Sequence, residues 1–203
     1  NVLVPSNYNP NVPGSLGQFK SGGVTAIATG GVIEDPLIVL KGTVSDPDSG
    51  DTLKFEVEVK SISTDFDGTV TAQSDAIASG TASVSVLSLS RNTDYHWQSR
   101  VKDNSGAVSA WVSYGGNPET QRDFHVDAAP NAPTELAQFQ SSGSPAIAIG
   151  GAATDTGAVF KGTVSDPESD TVKLHVEVKP VGTAFDMLTG VTAGTSFVSS
   201  GSE

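Results

Sequence analysis

The sequence contains no cysteine, which excludes disulfide bonds, zinc–thiolate sites and thiol nucleophiles. Charged residues are also scarce, at 17% of the chain, and 11 Lys and Arg against 23 Asp and Glu give a net charge of −12. A chain this acidic lacks the basic surface that neutralises phosphates, so nucleic acid is excluded as a partner. No apolar run approaches the roughly 18 residues of a transmembrane helix, and we expect no membrane span.

The sequence contains an internal repeat. The segment from Lys41 to Pro47 returns unchanged as Lys161 to Pro167, 120 residues further along the chain. The register slips by one residue in the loop that follows and then resumes. A period of this length is that of a whole domain rather than of a small structural repeat. The sequence therefore predicts tandem copies of one domain, of which the second is incomplete.

The repeat predicts four segments. They are a linker or tail of a preceding repeat at 1–13, a complete repeat at 14–127, a linker at 128–133 and an incomplete second repeat at 134–203. Two interpretations of the incomplete copy stay open. Either the sequence is a window from a longer array, or it is a subunit whose second repeat is completed by strands that another chain donates, from a segment such as 1–13.

Apolar residues follow the two-residue period of β-strands. Leu53–Val59 alternates apolar and charged residues, and Val172–Val178 repeats the alternation in the second copy. Segments 37–45 and 81–89 are rich in β-branched residues, which favour strands, and turn signals separate them. No long stretch has a helical period. We therefore expect an all-β protein of tandem antiparallel β-sandwiches with the second copy truncated.

The second half of the complete repeat carries a more specific pattern. Leu89, Thr93 and Tyr95 have the spacing of a tyrosine corner, in which the Tyr hydroxyl bonds to upstream backbone. Trp97 follows on the same strand, and residues 103–106 read Asp-Asn-Ser-Gly, a hairpin turn. This pattern resembles fibronectin type III domains and related bacterial immunoglobulin-like domains of extracellular proteins. The resemblance implies that each copy is a sandwich of the immunoglobulin-like or fibronectin type III-like type.

An acidic loop follows the first long strand in each copy. Closely spaced carboxylates on an extended loop are oxygen ligands of the kind that calcium takes, and the loop resembles Asp-rich loops of cadherin-like bacterial repeats, where calcium is often bound. In a β-sandwich the N-terminal segment meets this loop and the last hairpin at one end, which adds further acidic residues. The alternative is that these residues only form a turn. The predicted calcium ligands are Asp46, Asp48, Asp51, Asp103, Asp127, Asp166, Glu168 and Asp170.

Signals of catalysis are absent from the sequence. No Ser-His-Asp spacing, phosphate-cradling glycine loop or G-x-S-x-G elbow occurs. Strand alternation predicts that Glu56 and Glu58 face solvent, which does not support a glycosidase pair. It also predicts that His96 and His175 lie on exposed strand faces. We therefore expect no enzymatic activity, and no cofactor apart from calcium.

Two functions are compatible with these features. The first is a non-enzymatic structural or adhesive module in a stalk or filament at a bacterial cell surface, with neighbouring repeats or other copies in a filament as partners. Acidity, the absence of cysteine and short Pro-containing linkers favour it. The alternative is an accessory carbohydrate-binding or spacer module of a secreted polysaccharide-degrading enzyme. Trp111 and Tyr114 would then form a platform for surface glycans, unless they pack in the core or at a sheet edge.

Overall fold

The computed structural model of the chain describes residues 7–154, 156–187, 191–194 and 196–202. These residues form strands, turns and loops, and no helix is found among them. The chain divides into two compact units, Asn1–Asp127 and Ala128–Glu203. The predicted all-β class is confirmed for the described part of the chain.

The strands of the first unit form two sheets. The strands are β1 (Gly14–Phe19), β2 (Ala26–Ile27), β3 (Gly31–Ile33), β4 (Leu37–Val44), β5 (Leu53–Ser61), β6 (Ala72–Gln73), β7 (Gly80–Leu87), β8 (Thr93–Asp103), β9 (Val112–Ser113) and β10 (Phe124–Val126). One sheet has the order β2-β1-β4-β7, and the other has the order β3-β10-β8-β5-β6 with β9 beside β8. Paired strands are antiparallel, except that β3 and β10 run parallel.

Apolar side chains from both sheets form one core. Ile38 and Leu40 of β4 are buried in the same cluster as Phe55 and Val57 of β5 and Trp97 of β8. These residues alternate along their strands, so one face of each strand reaches the core. The arrangement is consistent with the predicted β-sandwich.

Tyr95 makes the bond that the tyrosine-corner spacing predicts. Its Oη accepts a hydrogen bond from the Ser90 backbone N–H at 2.8 Å. Its ring stacks on Phe124 of β10, with ring centroids 5.3 Å apart. The Tyr95 hydroxyl and ring therefore tie the turn before β8 to the core and to the neighbouring strand β10.

The side of β8 that faces away from β5 pairs with two short strands. β9 pairs with the middle of β8, and β10 pairs with its first residues. Gly115 and Gly116 lie between them with φ values of 78° and 67°, a backbone conformation that favours glycine. The glycine pair therefore lets the chain leave β8 after β9 and return to it at β10.

The outer face of the second sheet is covered by the loop between β5 and β6. The backbone N–H groups of Asp67 and Gly68 donate to Glu58 Oε1 and Oε2 at 2.8 and 3.0 Å. Glu56 Oε2 accepts a hydrogen bond from Arg100 at 2.7 Å. The prediction that Glu56 and Glu58 face solvent is wrong, because the loop and Arg100 leave these residues only 3% and 0% exposed.

His96 of β8 lies under the same loop. Its Nδ1 is 2.9 Å from Glu119 Oε2, and its Nε2 is 3.0 Å from the Thr64 carbonyl oxygen. The Phe66 ring stacks on the imidazole with centroids 4.1 Å apart. The predicted exposure of His96 is therefore wrong, because a loop distant in sequence decides its burial. His175 in the second unit is exposed, as predicted.

The described strands of the second unit form two two-stranded sheets. The strands are β11 (Thr134–Gln140), β12 (Ala158–Thr163), β13 (His175–Glu177) and β14 (Val191–Ala193). β11 pairs with β12 and β13 pairs with β14, both antiparallel. The strand predicted over Val172–Val178 is thus shorter than its counterpart β5. Phe160 of β12 is 38% exposed, whereas Leu40, the corresponding residue of β4, is fully buried.

Candidate metal centre

Three aspartates converge on the loop between β4 and β5. One carboxylate oxygen from each of Asp46, Asp48 and Asp51 lies within 4.8 Å of the others, and all three residues are half-buried. The backbone of the loop builds this arrangement, since the Asp48 N–H donates to Asp46 Oδ1 at 2.7 Å and Gly50 adopts a φ of 101°. The loop therefore forms a turn that is also a cluster of carboxylates.

The segment before β1 and the turn after β8 meet this loop. The Tyr8 N–H donates to Asp48 Oδ2 at 2.6 Å. Asn104 Oδ1 accepts a hydrogen bond from the Thr52 N–H at 3.1 Å. Residues 7–13, which precede β1 and form the lead-in segment of the first unit, therefore share one end of that unit with the two loops, as the sandwich geometry predicts.

Asp103, at the end of β8, lies beside the three aspartates. Its Oδ2 accepts a hydrogen bond from Asn7 Nδ2 at 2.9 Å, and its Oδ1 accepts one from the Ala107 N–H at 2.8 Å. Burial disfavours the charge, but the hydrogen bonds outweigh burial and lower the pKa of Asp103. Asp103 is therefore an ionised residue that anchors the lead-in segment and the turn.

No basic side chain in the described part of the chain forms an ion pair with the three converging aspartates. Burial raises the pKa of Asp51, and the charges of Asp46, Asp103 and Asp48 raise it further. Asp46 Oδ2 and Asp51 Oδ2 are buried and have no hydrogen-bond partner among the described residues. A cation among these oxygens would supply that partner and relieve the repulsion between the carboxylates. The residues thus fit a hard divalent cation such as calcium.

The corresponding loop of the second unit has a different arrangement. Asp166 Oδ1 accepts hydrogen bonds from the Glu168 and Asp170 N–H groups at 2.8 and 3.5 Å, and Glu168 Oε2 accepts one from the Ala128 N–H at 2.7 Å. The loop is one residue shorter, and Ser169 takes the positive φ, of 66°. Within the described ranges, only the first unit's aspartates converge to metal-binding distances.

Asp127, the last predicted ligand, is the final residue of the first unit. Its N–H donates to the Ile33 carbonyl oxygen at 2.8 Å, and its carbonyl oxygen accepts a hydrogen bond from Arg91 at 3.2 Å. These backbone bonds hold the chain beside β3. Asp127 is not one of the converging carboxylates.

The segments that lead into the two units are anchored in the same way. The Asn11 N–H donates to the Ser45 carbonyl oxygen at 3.0 Å, and the Asn131 N–H donates to the Ser165 carbonyl oxygen at 2.9 Å. The side-chain Nδ2 of each asparagine is 3.1 Å from the Oγ of the same serine. The sequence predicts linkers over both segments and does not indicate this role. The shared Pro-Asn-x-Pro pattern is the signal that could have shown it.

Trp111 and Tyr114 each have one ring face occupied by a neighbour. The Tyr114 ring stacks on Trp97 with centroids 4.7 Å apart, and Tyr114 packs against the core. The Arg100 guanidinium lies 4.6 Å from the centre of the Trp111 ring. These contacts agree with the packing interpretation, and a glycan platform stays a prediction.

Asp123, just before β10, is a buried acid that the sequence does not single out. Its Oδ2 accepts a hydrogen bond from the Trp97 backbone N–H at 2.9 Å, and the residue is 2% exposed. Burial raises the pKa of Asp123 to about 6, against the hydrogen bonds from Trp97 and Asn117 and with the help of the Glu119 charge. The folded first unit therefore holds this proton more tightly than the unfolded chain does.

We expect Asp123 to make the first unit less stable as pH rises. Its contribution is full below about pH 4, near the ordinary pKa of 3.8, and is lost as pH rises to about 6. At about 1.4 kcal/mol per pKa unit, the loss is about 3 kcal/mol. Urea denaturation of the native chain and of Asp123→Asn across this range measures it, because asparagine does not titrate. A difference between the two free energies of unfolding that is constant with pH would contradict the assignment.

Comparison of the chain with protein-family models, with curated proteins and with solved structures finds no match. Within the described part of the chain, no helix has the length and apolar character needed to cross a membrane.

Proposed function

We propose that the chain is part of a tandem array of immunoglobulin-like or fibronectin type III-like β-sandwiches, and that the array is a non-enzymatic structural or adhesive module at a bacterial cell surface. The observation that carries this proposal is the matched anchoring of the two lead-in segments. The Tyr8 N–H donates to Asp48 of the first acidic loop, and the Ala128 N–H donates to Glu168 of the second. In addition, an asparagine of each segment bonds to the serine just before the loop, Asn11 to Ser45 and Asn131 to Ser165.

Each lead-in segment is hydrogen-bonded to the repeat that follows it, so the segment that connects two repeats is structurally part of the second one. A linker that is bonded at two points has already lost conformational freedom. The prolines of Pro10–Pro13 and Pro130–Pro133 stiffen it further. A connection with little conformational freedom is what a stalk or filament requires. The partners are then neighbouring repeats of the same chain or other copies in a filament.

The strand order supports the immunoglobulin-like assignment. β1, β4 and β7 lie in one sheet and β5, β8 and β10 lie in the other, which is the division of strands A, B and E from C, F and G in this class of sandwich. The Tyr95 hydroxyl bond stands at the start of β8, the strand F position, as a tyrosine corner does.

In this proposal the acidic loop of the first unit binds calcium. The carboxylates of Asp46, Asp48 and Asp51 would hold the ion, and its charge would offset their repulsion. Asp48 also accepts the Tyr8 N–H, so a cation that fixes this loop fixes the lead-in segment with it. Calcium would therefore stiffen the connection between repeats.

Calcium is expected to raise the melting temperature of the first unit by several degrees. A ligand that binds only the folded state, at 100 times its Kd, adds about 2.7 kcal/mol of stability. Thermal unfolding of the chain in calcium and in EGTA, followed by tryptophan fluorescence, measures the shift. Both tryptophans of the chain, Trp97 and Trp111, lie in the first unit, so the signal reports that unit.

The matched variants for this measurement are Asp51→Asn and Asp75→Asn. Asp51→Asn removes one converging carboxylate and should abolish the calcium-dependent rise. Asp75 is exposed and lies outside the cluster, so Asp75→Asn should keep the rise. Equal melting temperatures of the native chain in calcium and in EGTA would rule out the metal site.

Antibody labelling of intact cells tests the proposed surface role. Antibodies raised against the chain should stain unpermeabilised cells, and cells without the gene should lose that staining together with an extended surface structure in electron micrographs. Staining that requires permeabilisation would contradict the proposal.

A further inference from the structure

The first unit has four edge strands in the described part of the chain, and β7 is the longest of them. β2 and β6 have two residues and β3 has three, whereas β7 has eight. The chain enters β7 from β6 and leaves it for β8, and both of these strands belong to the other sheet. β7 therefore pairs with β4 along one side and, among the described strands, with none along the other.

β7 lacks the features that protect a sheet edge. Native proteins shield an exposed edge by shortening the strand or by adding charged residues, prolines or a β-bulge. No charged residue and no proline occurs between Asp75 and Arg91. β7 and β4 pair residue by residue over all eight positions, so no bulge twists the edge away. Every second residue of β7 therefore presents its backbone N–H and carbonyl oxygen to a further strand on the open side.

The composition of β7 suits a second copy of the same strand. Its inward residues are Ala82, Val84 and Val86, and its outward residues are Thr81, Ser83, Ser85 and Leu87. The chain has a net charge of −12, so two copies repel each other. Two β7 edges can meet without placing like charges side by side, because neither carries a charge. Small hydroxyl and apolar side chains then oppose side chains of the same kind.

We propose that β7 is a self-association edge, on which β7 of a second copy pairs antiparallel and joins two four-stranded sheets into one continuous sheet. Inward residues must oppose inward residues, because a slip of one position would turn the core side chains to solvent. A twofold axis at Val84 meets this condition. Val84 then opposes Val84 of the second copy, and Ser83 opposes Ser85. Such an interface uses the same surface on both copies and closes as a dimer.

The pairing depends neither on calcium nor on a position at the cell surface, so the experiments on those roles do not decide it. Sedimentation of the 203-residue chain in EGTA should show a reversible dimer. The double variant Ser83→Lys/Ser85→Lys places like charges directly opposite each other and should weaken the dimer at least tenfold, as should Ser83→Glu/Ser85→Glu. An equimolar mixture of the two variants places opposite charges across the interface and should restore the dimer.

A matched control carries two lysines away from β7. Ser21 and Val24 are exposed on the turn between β1 and β2, at the opposite edge of the same sheet. Ser21→Lys/Val24→Lys makes the same change in net charge and should leave the dimer unchanged. The urea midpoint of each variant shows that its fold is kept.

Disulfide trapping tests the register, because the chain has no cysteine of its own. A mixture of Ser83→Cys and Ser85→Cys chains should form a linked heterodimer faster than either variant alone forms a homodimer. Directly opposite Cβ atoms lie about 5 Å apart and diagonal ones about 7 Å, and a disulfide needs the shorter distance. Equal rates in the mixture and in the single variants would contradict the twofold axis at Val84.

Three results would overturn the proposed pairing. They are a native chain that stays monomeric up to about 1 mM, a dimer that survives the lysines on β7, and a mixture of the lysine and glutamate variants that stays monomeric. Oligomers that grow beyond a dimer and are lost in the lysine variant would assign an open, fibre-forming contact to the edge instead. A monomeric chain that binds a labelled peptide of residues 80–87 would assign the edge to a strand of another protein.

Discussion

Replacing Trp97 with alanine is expected to lower the free energy of unfolding of the first unit by about 3 to 5 kcal/mol. The indole is fully buried and stacks on Tyr114, and its Nε1–H donates to Gln18 Oε1 at 3.2 Å. Alanine would leave a cavity and a buried amide oxygen without its donor, and both are costly. Urea denaturation followed by the fluorescence of Trp111, the other tryptophan, measures the loss.

Two further variants separate the causes of that loss. Trp97→Phe keeps much of the packing but removes the hydrogen bond to Gln18, and we expect a loss of about 1 to 3 kcal/mol. Val24→Ala changes an exposed side chain and should stay within about 0.5 kcal/mol of the native chain. A loss for Trp97→Ala no larger than that for Val24→Ala would contradict a core role of Trp97.

The core of the first unit can be predicted from sequence because its pattern is local. Every second residue of Leu53–Val59 is apolar, and a strand places such residues on one face. The bond between Tyr95 and Ser90 likewise joins residues five positions apart, so their spacing is sufficient to predict it.

The outer face of the second sheet could not be predicted in this way. Alternation assigns Glu58 and His96 to solvent, but their burial depends on the path of the loop between β5 and β6. The strand's own residues carry no information about that path. One signal was present, since Glu58 recurs as Glu177 and Phe66 recurs as Phe185 in the second copy.

The candidate metal site could also be predicted from the sequence only in part. Asp46, Asp48 and Asp51 are close neighbours in sequence, so their convergence on one loop could be predicted. The second loop has no counterpart of Gly50, and its Glu168 bonds to the lead-in segment. One deleted residue changes the path of the backbone, and carboxylate spacing alone does not show this.

Replacing Glu58 with alanine is expected to cost the first unit about 3 to 5 kcal/mol. The carboxylate is fully buried and accepts hydrogen bonds from the Asp67 and Gly68 N–H groups and from Gln98 Nε2. Alanine would leave these buried donors unpaired, and the loop would lose its attachment to the sheet. Urea denaturation followed by tryptophan fluorescence measures the cost. Glu34→Ala, where the side chain is 79% exposed, is the control and should change stability by less than about 1 kcal/mol.

Glu58→Gln tests whether acceptor geometry, rather than shape, holds the loop over the sheet. Glutamine keeps the size of the side chain but has one acceptor oxygen, so its NH₂ group must face a donor. Oε2 accepts hydrogen bonds from both Gly68 and Gln98, whereas Oε1 accepts one from the Asp67 N–H and lies 3.7 Å from Lys60 Nζ. Fewer hydrogen bonds are lost when the NH₂ group faces Asp67. We therefore expect a loss of about 1 to 3 kcal/mol, with hydrogen exchange accelerated more at the Asp67 amide than at the Gly68 amide. Native stability and unchanged exchange at both amides would mean that the loop is held by packing, such as that of Phe66 on His96, and not by the carboxylate.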